Sequence, residues 1–160
     1  VNADGVEISA LKDAAEAALA GQWVYQEWAR FEVPAVWEQN KADIARSLEP
    51  DVTVPKFFAC RIGGRLAGIA SVVPRDLPTC PELGPWLANV LVLPPWRRRG
   101  IGRALVRHVM DYSGALAPTL YLYTFDQVDL YQHLGWEVLR RDQYAGRAIT
   151  IMRYPAAPRP

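Results

Sequence analysis

The stretch Arg97-Arg98-Arg99-Gly100-Ile101-Gly102 combines residue types and spacing suited to binding a polyphosphate. An apolar run from Trp86 to Leu93 precedes it and stops at Pro94-Pro95, and an amphipathic pattern from Gly100 to Tyr112 follows. A helix N-terminus presents backbone N–H groups that lack intrahelical acceptors, with the positive end of the helix dipole behind them. Such a terminus attracts phosphate. Gly100 and Gly102 have no Cβ, so a pyrophosphate can come close to the backbone. Arg97, Arg98, Arg99 and Arg103 supply charge-assisted hydrogen bonds. Two other phosphate loops are excluded. No Gly-x-x-x-x-Gly-Lys-Ser/Thr occurs, and only two of the three glycines of the dinucleotide fingerprint are in place. Taken alone, the stretch also fits a capped helix with a solvated basic turn.

The surrounding elements must hold that turn in position. Trp86 to Leu93 reads as a strand for the middle of a sheet. Gly100 to Tyr112 reads as a helix with Ile101, Leu105, His108 or Val109, and Tyr112 on one face, and Gly114 at its end. Upstream, Gly5 to Leu11 is expected to be a strand. Lys12 to Arg30 is helical and split at Gly21, and Ala35 to Leu48 is a helix bounded by Pro34 and Pro50. Val52 to Ile62 and Arg65 to Val73 form a hairpin turning at Gly63-Gly64. Pro74 to Pro85 is a loop.

Downstream, Leu120 to Phe125 is a strand, and a helix capped by Asp126 runs through His133 and stops at Gly135. Trp136 to Arg140 and Ala148 to Arg153 are the last strands, turning near Ala145-Gly146. This order implies a mixed α/β sheet of six or seven strands with helices on both faces and a right-handed strand–helix–strand crossover. One domain is expected over 1–160, with a core of about 5–154 and a loose tail over 155–160.

The chain has 160 residues and a formal net charge of +1, which argues against a general nucleic-acid binder. Its local arginine cluster suits one small polyanion. Six Trp and seven Tyr are core or pocket lining. Cys60 and Cys80 show neither metal-ligand spacing nor a disulfide framework, so no metal is expected. No signal peptide and no apolar run of ~20 residues stand out, so no membrane contact and a cytoplasmic location are expected. A monomer or homodimer is expected.

Val92-Leu93-Pro94-Pro95-Trp96-Arg97-Arg98-Arg99-Gly100-Ile101-Gly102 resembles the acetyl-CoA motif of the GNAT acetyltransferases, Val-x-Pro-x-x-Arg/Gln-x-x-Gly-x-Gly/Ala. Leu130-Tyr131-Gln132-His133-Leu134-Gly135-Trp136 is similar to the family's second landmark, a Tyr on a short helix followed by Gly and an aromatic. The resemblance covers about Pro55 to Arg153 and, loosely, the helical N-terminal part.

It implies a GNAT-like fold in which the strands from Trp86 and Leu120 splay apart to admit the pantetheine arm. It implies acetyl-CoA as acetyl donor, with its pyrophosphate on the N–H groups of Arg98 to Arg103. The backbone of Val90, Leu91 and Val92 would lie along the arm, and the Val90 N–H would polarise the acetyl carbonyl. Thr124 stands where many relatives carry a coenzyme-contacting Asn.

Tyr131 occupies the family's general-acid position, where a phenol can protonate the departing thiolate. Core packing is the alternative role for that ring. Many relatives place a basic Glu where this sequence has Trp86, so the base stays open among Glu82, Asp76 and a water relay. Asp76 could instead hold a cationic group of the acceptor. Trp23, Tyr25, Trp28 and Trp37 lie in helices that wall the acceptor site in this family, or else belong to the core. His108 and His133 receive no catalytic role. The implied activity is acetyl transfer to an amine, with a small molecule as acceptor. A protein N-terminus or lysine as acceptor, or an acetyl-CoA sensor without turnover, are the alternatives.

Overall fold

The computed structural model describes residues 5–29 and 34–155, without the side chains of residues 28 and 34–36. In chain order the elements are β1 (Val6–Ala10), α1 (Ala14–Ala29), α2 (Pro34–Ser47), β2 (Lys56–Ile62), β3 (Arg65–Val73), β4 (Trp86–Val92), α3 (Ile101–Gly114), β5 (Thr119–Thr124), α4 (Val128–His133), β6 (Glu137–Tyr144) and β7 (Arg147–Pro155). The seven strands form one sheet in the order β1-β2-β3-β4-β5-β7-β6. Every neighbouring pair is antiparallel except β4 and β5, which are parallel and joined through α3. The expected mixed sheet and its element order are therefore present. The tail expected from residue 155 lies beyond the described residues except for Pro155, which ends β7.

Alternation along the strands creates two cores, because successive side chains point to opposite faces. Phe58 and Cys60 of β2, Ala70 and Val72 of β3, and Leu120 and Leu122 of β5 pack under Leu105, Val106 and Val109 of α3. Phe57, Ala59, Ile69 and Val73 pack on the other face with Ala20 and Val24 of α1 and Ile44 of α2. The helices thus cover both faces, as the element order implies. Local turn chemistry sets the hairpins. Gly63 (φ 57°) and Gly64 (φ 81°), then Ala145 (φ 51°) and Gly146 (φ 74°), supply the two consecutive positive φ values of a tight hairpin turn.

Two boundaries differ from the sequence expectation. Gly21 does not split the first helix, because α1 runs unbroken from Ala14 to Ala29. Gly21 is buried where α1 meets α2. A Cβ there would touch Trp37 at 3.7 Å and Ile44 at 3.8 Å, so packing between the helices offsets its low propensity of ~1 kcal/mol. Nor does Asp126 cap α4. The Thr124 hydroxyl accepts the Gln127 N–H at 3.0 Å, and Gln127 itself is the cap residue.

The start of α1 is tied to the sheet by charge. The Asp13 carboxylate accepts the Glu16 N–H at 2.9 Å, a local cap. Arg61 of β2, 2% exposed, donates to Glu16 Oε2 at 2.6 Å and Oε1 at 2.7 Å, to Ser9 Oγ at 2.7 Å and to the Ala10 carbonyl at 3.0 Å. The Arg61 hydrogen bonds hold the Glu16 carboxyl below its ordinary value against the opposing effect of burial.

Candidate active site

The site begins with a break in the alternation of β4. Leu87 faces the α3 side and Ala88 the α1 side. Beyond Asn89 the parity reverses, with Val90 and Val92 on the α3 side and Leu91 on the α1 side. An extra residue in β4 causes the reversal. The register runs Ser71↔Ala88 and then Ile69↔Leu91, so two steps along β3 face three along β4. Asn89 takes the left-handed backbone at φ 56°, which Asn tolerates better than most residues. Its side-chain amide donates to Ser71 Oγ at 3.1 Å, and Ser71 in turn donates to the Ala88 carbonyl at 2.9 Å. This pair, with Ser71 buried and Asn89 partly so, pins the bulge.

The bulge lies where β4 leaves its parallel partner. The β4–β5 register holds a single pair, Trp86↔Tyr121, reinforced by the Tyr121 N–H donating to the Pro85 carbonyl at 3.0 Å. Past that pair the ladder ends. A cavity of about 270 Å³ lies there, lined by Leu87 to Leu91 of β4, Leu122 to Thr124 of β5, the segment 125–127, Tyr131, Asp76, and Val24 and Glu27 of α1. The expected splay is thus observed. A second recess of about 200 Å³ adjoins it, sharing Glu27 and Leu91, with Trp23 and Arg97 among its walls.

The turn after β4 has the form of a phosphate cradle. Pro94–Trp96 makes one 3-10 turn, Arg98 (φ 64°) and Gly100 (φ 77°) are left-handed, and α3 begins at Ile101. Its first hydrogen bond runs from the Ala104 N–H to the Gly100 carbonyl at 3.1 Å, so the N–H groups of Ile101, Gly102 and Arg103 have no acceptor within the helix. A Cβ on Gly102 would meet only Val92, at 3.7 Å, so protein packing leaves room above that residue. Arg98, Arg99 and Arg103 are exposed beside it. Arg97 is oriented differently: its Nε–H donates to the Val92 carbonyl at 2.9 Å and braces the end of β4.

Among the residues singled out in the sequence, the cavity brings together Asp76, Val90, Leu91, Thr124 and Tyr131. Val92 and Arg97 line the second recess instead. Tyr131 lies at the meeting of core and cavity. Its ring is 9% exposed in the core beside Trp136, and the residue lines the cavity. Burial raises its phenol to about 12, so the hydroxyl keeps its proton at neutral pH.

Asp76 is partly buried in the loop before β4. Loss of water, together with the charge of Asp43, pushes its carboxyl up to about 7. Glu82 is not among the cavity residues. Its side chain is 60% exposed, 3.8 Å from Arg140. Trp86 is fully buried and donates to the Leu83 carbonyl at 3.0 Å. Thr124 is 7% exposed, and its hydroxyl serves α4.

Of the N-terminal aromatics, Trp23 lines the second recess, while Tyr25 is half exposed and packs edge-on with Trp37. The side chain of Trp28 lies outside the described residues. His108 packs on Phe58, and His133 donates to the Asp129 carbonyl; neither lines the cavity. Sequence reasoning missed Asn89, Glu27 and Tyr123. An Asn inside an apolar strand run was the available signal for the bulge.

The model of the acetyltransferase (GNAT) family matches residues 22–136 of the chain. No curated protein matches it in sequence. Among solved structures, the chain is similar to a Salmonella typhimurium protein solved with acetyl-CoA. The identity is 18% over 97% of this chain and 96% of that one, with a TM-score of 0.72. It is similar to an aminoglycoside 6'-N-acetyltransferase complexed with coenzyme A, at 16% identity over 96% and 99%, with a TM-score of 0.70. It is also similar to the ribosomal-protein-S18-alanine N-acetyltransferase of Escherichia coli, at 23% identity over 97% and 96%, with a TM-score of 0.66. At these identities the likeness is one of fold.

Proposed function

The chain belongs to the acetyltransferase (GNAT) family, and on that premise we propose that it transfers an acetyl group from acetyl-CoA to a primary amine of a small molecule. Membership makes it an acetyl-CoA-dependent acyltransferase. The observation that supports the rest is the cavity at the parting of β4 and β5. It has Asp76 and Tyr131 in its walls and the N–H cradle of α3 at the far end of the same strand. A concave space of about 270 Å³, lined in part by Val24 and Glu27 of α1, suits a small acceptor better than a folded protein surface.

Acetyl-CoA supplies an activated acyl group on a thiol leaving group. The N–H groups of Ile101, Gly102 and Arg103, with the exposed arginines, hold its pyrophosphate. The parted edge of β4 from Val90 to Val92 offers main-chain groups to the pantetheine arm. Asp76 accepts a proton from the incoming ammonium, which at an ordinary amine pKa of ~10 is otherwise protonated at neutral pH.

The new C–N bond forms on the acetyl carbon, and the Val90 N–H donates to the oxygen that gains charge. As the C–S bond breaks, Tyr131 donates its phenolic proton to the sulfur. The acetylated nitrogen, which still carries one proton more than the neutral amide, releases it to solvent, and solvent then returns a proton to Tyr131 and takes one from Asp76. Asp76 is preferred to Glu82 as base because it faces the cavity and its carboxyl is poised near neutrality.

The test is a panel of small amines, amino acids and N-terminal peptides incubated with acetyl-CoA, reading free coenzyme A thiol and acetylated product. Turnover with a small amine above all peptides is expected. Peptide-only turnover would replace the acceptor assignment. Acetyl-CoA binding without any turnover would leave the sensor reading.

A further inference from the structure

Three acidic residues line the cavity, and they come from separate parts of the chain. Glu27 lies on α1, Asp76 in the loop before β4 and Asp126 in the segment after β5. Glu27 and Asp76 are partly buried, and Asp126 is exposed. Among the described residues of the wall there is no Lys, Arg or His. In a chain of formal net charge +1, a wall of one sign is a local arrangement and not a consequence of overall charge. Two arginines come near without joining the wall. Arg147 of β7 lies over the Phe125 ring at 4.2 Å, and Arg97 lines the adjoining recess with its Nε–H on the Val92 carbonyl.

The same wall holds polar groups that the protein does not satisfy. Tyr131 is nine-tenths buried and lines the cavity, and among the described residues its hydroxyl makes no hydrogen bond. No hydrogen bond or ion pair among these residues engages the Asp126 carboxylate either, since Thr124 serves the start of α4. A buried polar group without a protein partner marks a place for a ligand or water. Tyr123 and Phe125 belong to the wall as well, their rings edge-on with centroids 6.1 Å apart. Aromatic rings beside carboxylates suit an alkylammonium, whose chain packs on the rings and whose charge is drawn to both.

Resting on the acceptor reading above, we propose that the acceptor is a small diamine: one amino group is acetylated, and the other stays an ammonium held by Glu27 and Asp126. Bond making and breaking are those of the transfer written above, and the second amino group takes no part in them. Asp76 receives one proton from the reacting ammonium. A monoamine would leave the other two carboxylates without a counter-charge in a partly desolvated space, and a second ammonium supplies it. An amino acid fits less well, because its carboxylate would enter a wall already carrying three acids. Glu27 and Asp126 are then specificity-determining residues that meet the acceptor away from its reacting nitrogen.

The experiment compares three acceptors of matched length with terminal amino groups: diaminobutane, butylamine and aminobutyrate, whose far ends are positive, apolar and negative. With acetyl-CoA saturating, wild type is expected to favour diaminobutane over butylamine about tenfold in kcat/KM, mainly through KM, with aminobutyrate poorest. About tenfold lies between the effects of an exposed and a buried charge pair. Glu27→Gln and Asp126→Asn should each lower the diamine-to-monoamine ratio severalfold, and the wild-type ratio should shrink with salt. A merely structural role would depress all three acceptors alike and leave the ratio in place. Asp126 is exposed, so its variant keeps the test open should Glu27→Gln fail to fold. Turnover of amines without preference for the diamine, or a ratio that neither variant moves, overturns the proposal.

Calorimetry of the three compounds with the coenzyme A complex reads the charge preference without turnover. Should no amine or peptide be acetylated, the proposed function fails, while tighter binding of diaminobutane that weakens in Glu27→Gln still supports the ligand class. Turnover of a monoamine or amino acid, with equal binding of all three compounds, sinks the inference and leaves the proposed function standing.

Discussion

Gly102→Asp separates the phosphate cradle from a solvated helix start more sharply than any other substitution. Gly102 is the second residue of α3, and its added Cβ would lie 3.7 Å from Val92, an ordinary contact. Nothing in the protein therefore resists a side chain there. Replacing Gly in a helix recovers up to ~1 kcal/mol, less for Asp than for Ala, and a carboxylate in the first turn gains ~0.3–1 kcal/mol from the dipole. The variant should fold with unchanged or slightly raised melting temperature.

Binding should move the other way. A carboxylate ~5 Å from one phosphate charge costs ~1–3 kcal/mol for an effective dielectric between bulk water and a protein surface. Solvent screening at this exposed turn favours the low end per charge. Two phosphate charges then give ~2 kcal/mol, or a dissociation constant for acetyl-CoA about 30-fold weaker. Calorimetry with acetyl-CoA at low and at ~0.5 M salt measures this, and the deficit should shrink with salt as charges are screened. Gly102→Ala isolates the effect of Cβ and should lose less. A folded Gly102→Asp protein with wild-type affinity at low salt would refute the placement of the pyrophosphate on this turn.

Three further outcomes are expected. Tyr131→Phe keeps the core ring and removes the donor, so melting temperature and acetyl-CoA affinity should hold while kcat falls by ~10²; near-normal turnover on the best acceptor would remove the acid role. Glu16→Gln takes the counter-charge from the buried Arg61 and should cost ~3 kcal/mol in denaturant melts at pH 7. Because the Glu16 carboxyl is held below its ordinary 4.5, the stability it gives wild type is present above that pH and lost as pH falls through the lowered value; the gap between the two proteins should therefore narrow in acid, and a constant gap would contradict the ion pair's role. Gly68→Ala would bring a Cβ to 2.8 Å from the Leu91 carbonyl and 3.1 Å from Leu105, and should cost ~1–3 kcal/mol by chemical denaturation, with a neutral result contradicting the tight β3–β4 contact.

Much of the fold is legible from neighbours in the chain. The alternation of β2 and β3, the Gly63-Gly64 turn, the long apolar strand before Pro94 and the amphipathic α3 all arise from side-chain direction and backbone sterics acting over a few residues. The form of the Arg97–Gly102 turn is legible for the same reason, since strand, turn and helix start are contiguous. Gly21 and Asp126 misled because their local preferences were outweighed, the first by the α1–α2 contact and the second by a threonine two residues earlier.

Which residues of the loop before β4 reach the cavity was settled only by packing between distant segments. Asp76 and Glu82 lie in the same loop and look alike in sequence, but one lines the cavity and the other stands in solvent beside Arg140. Asn89 becomes the hinge of β4 only when β3 sets the register against it. Local sterics cannot specify which residues meet across the chain; that requires the burial of both sheet faces and closure of the chain around them.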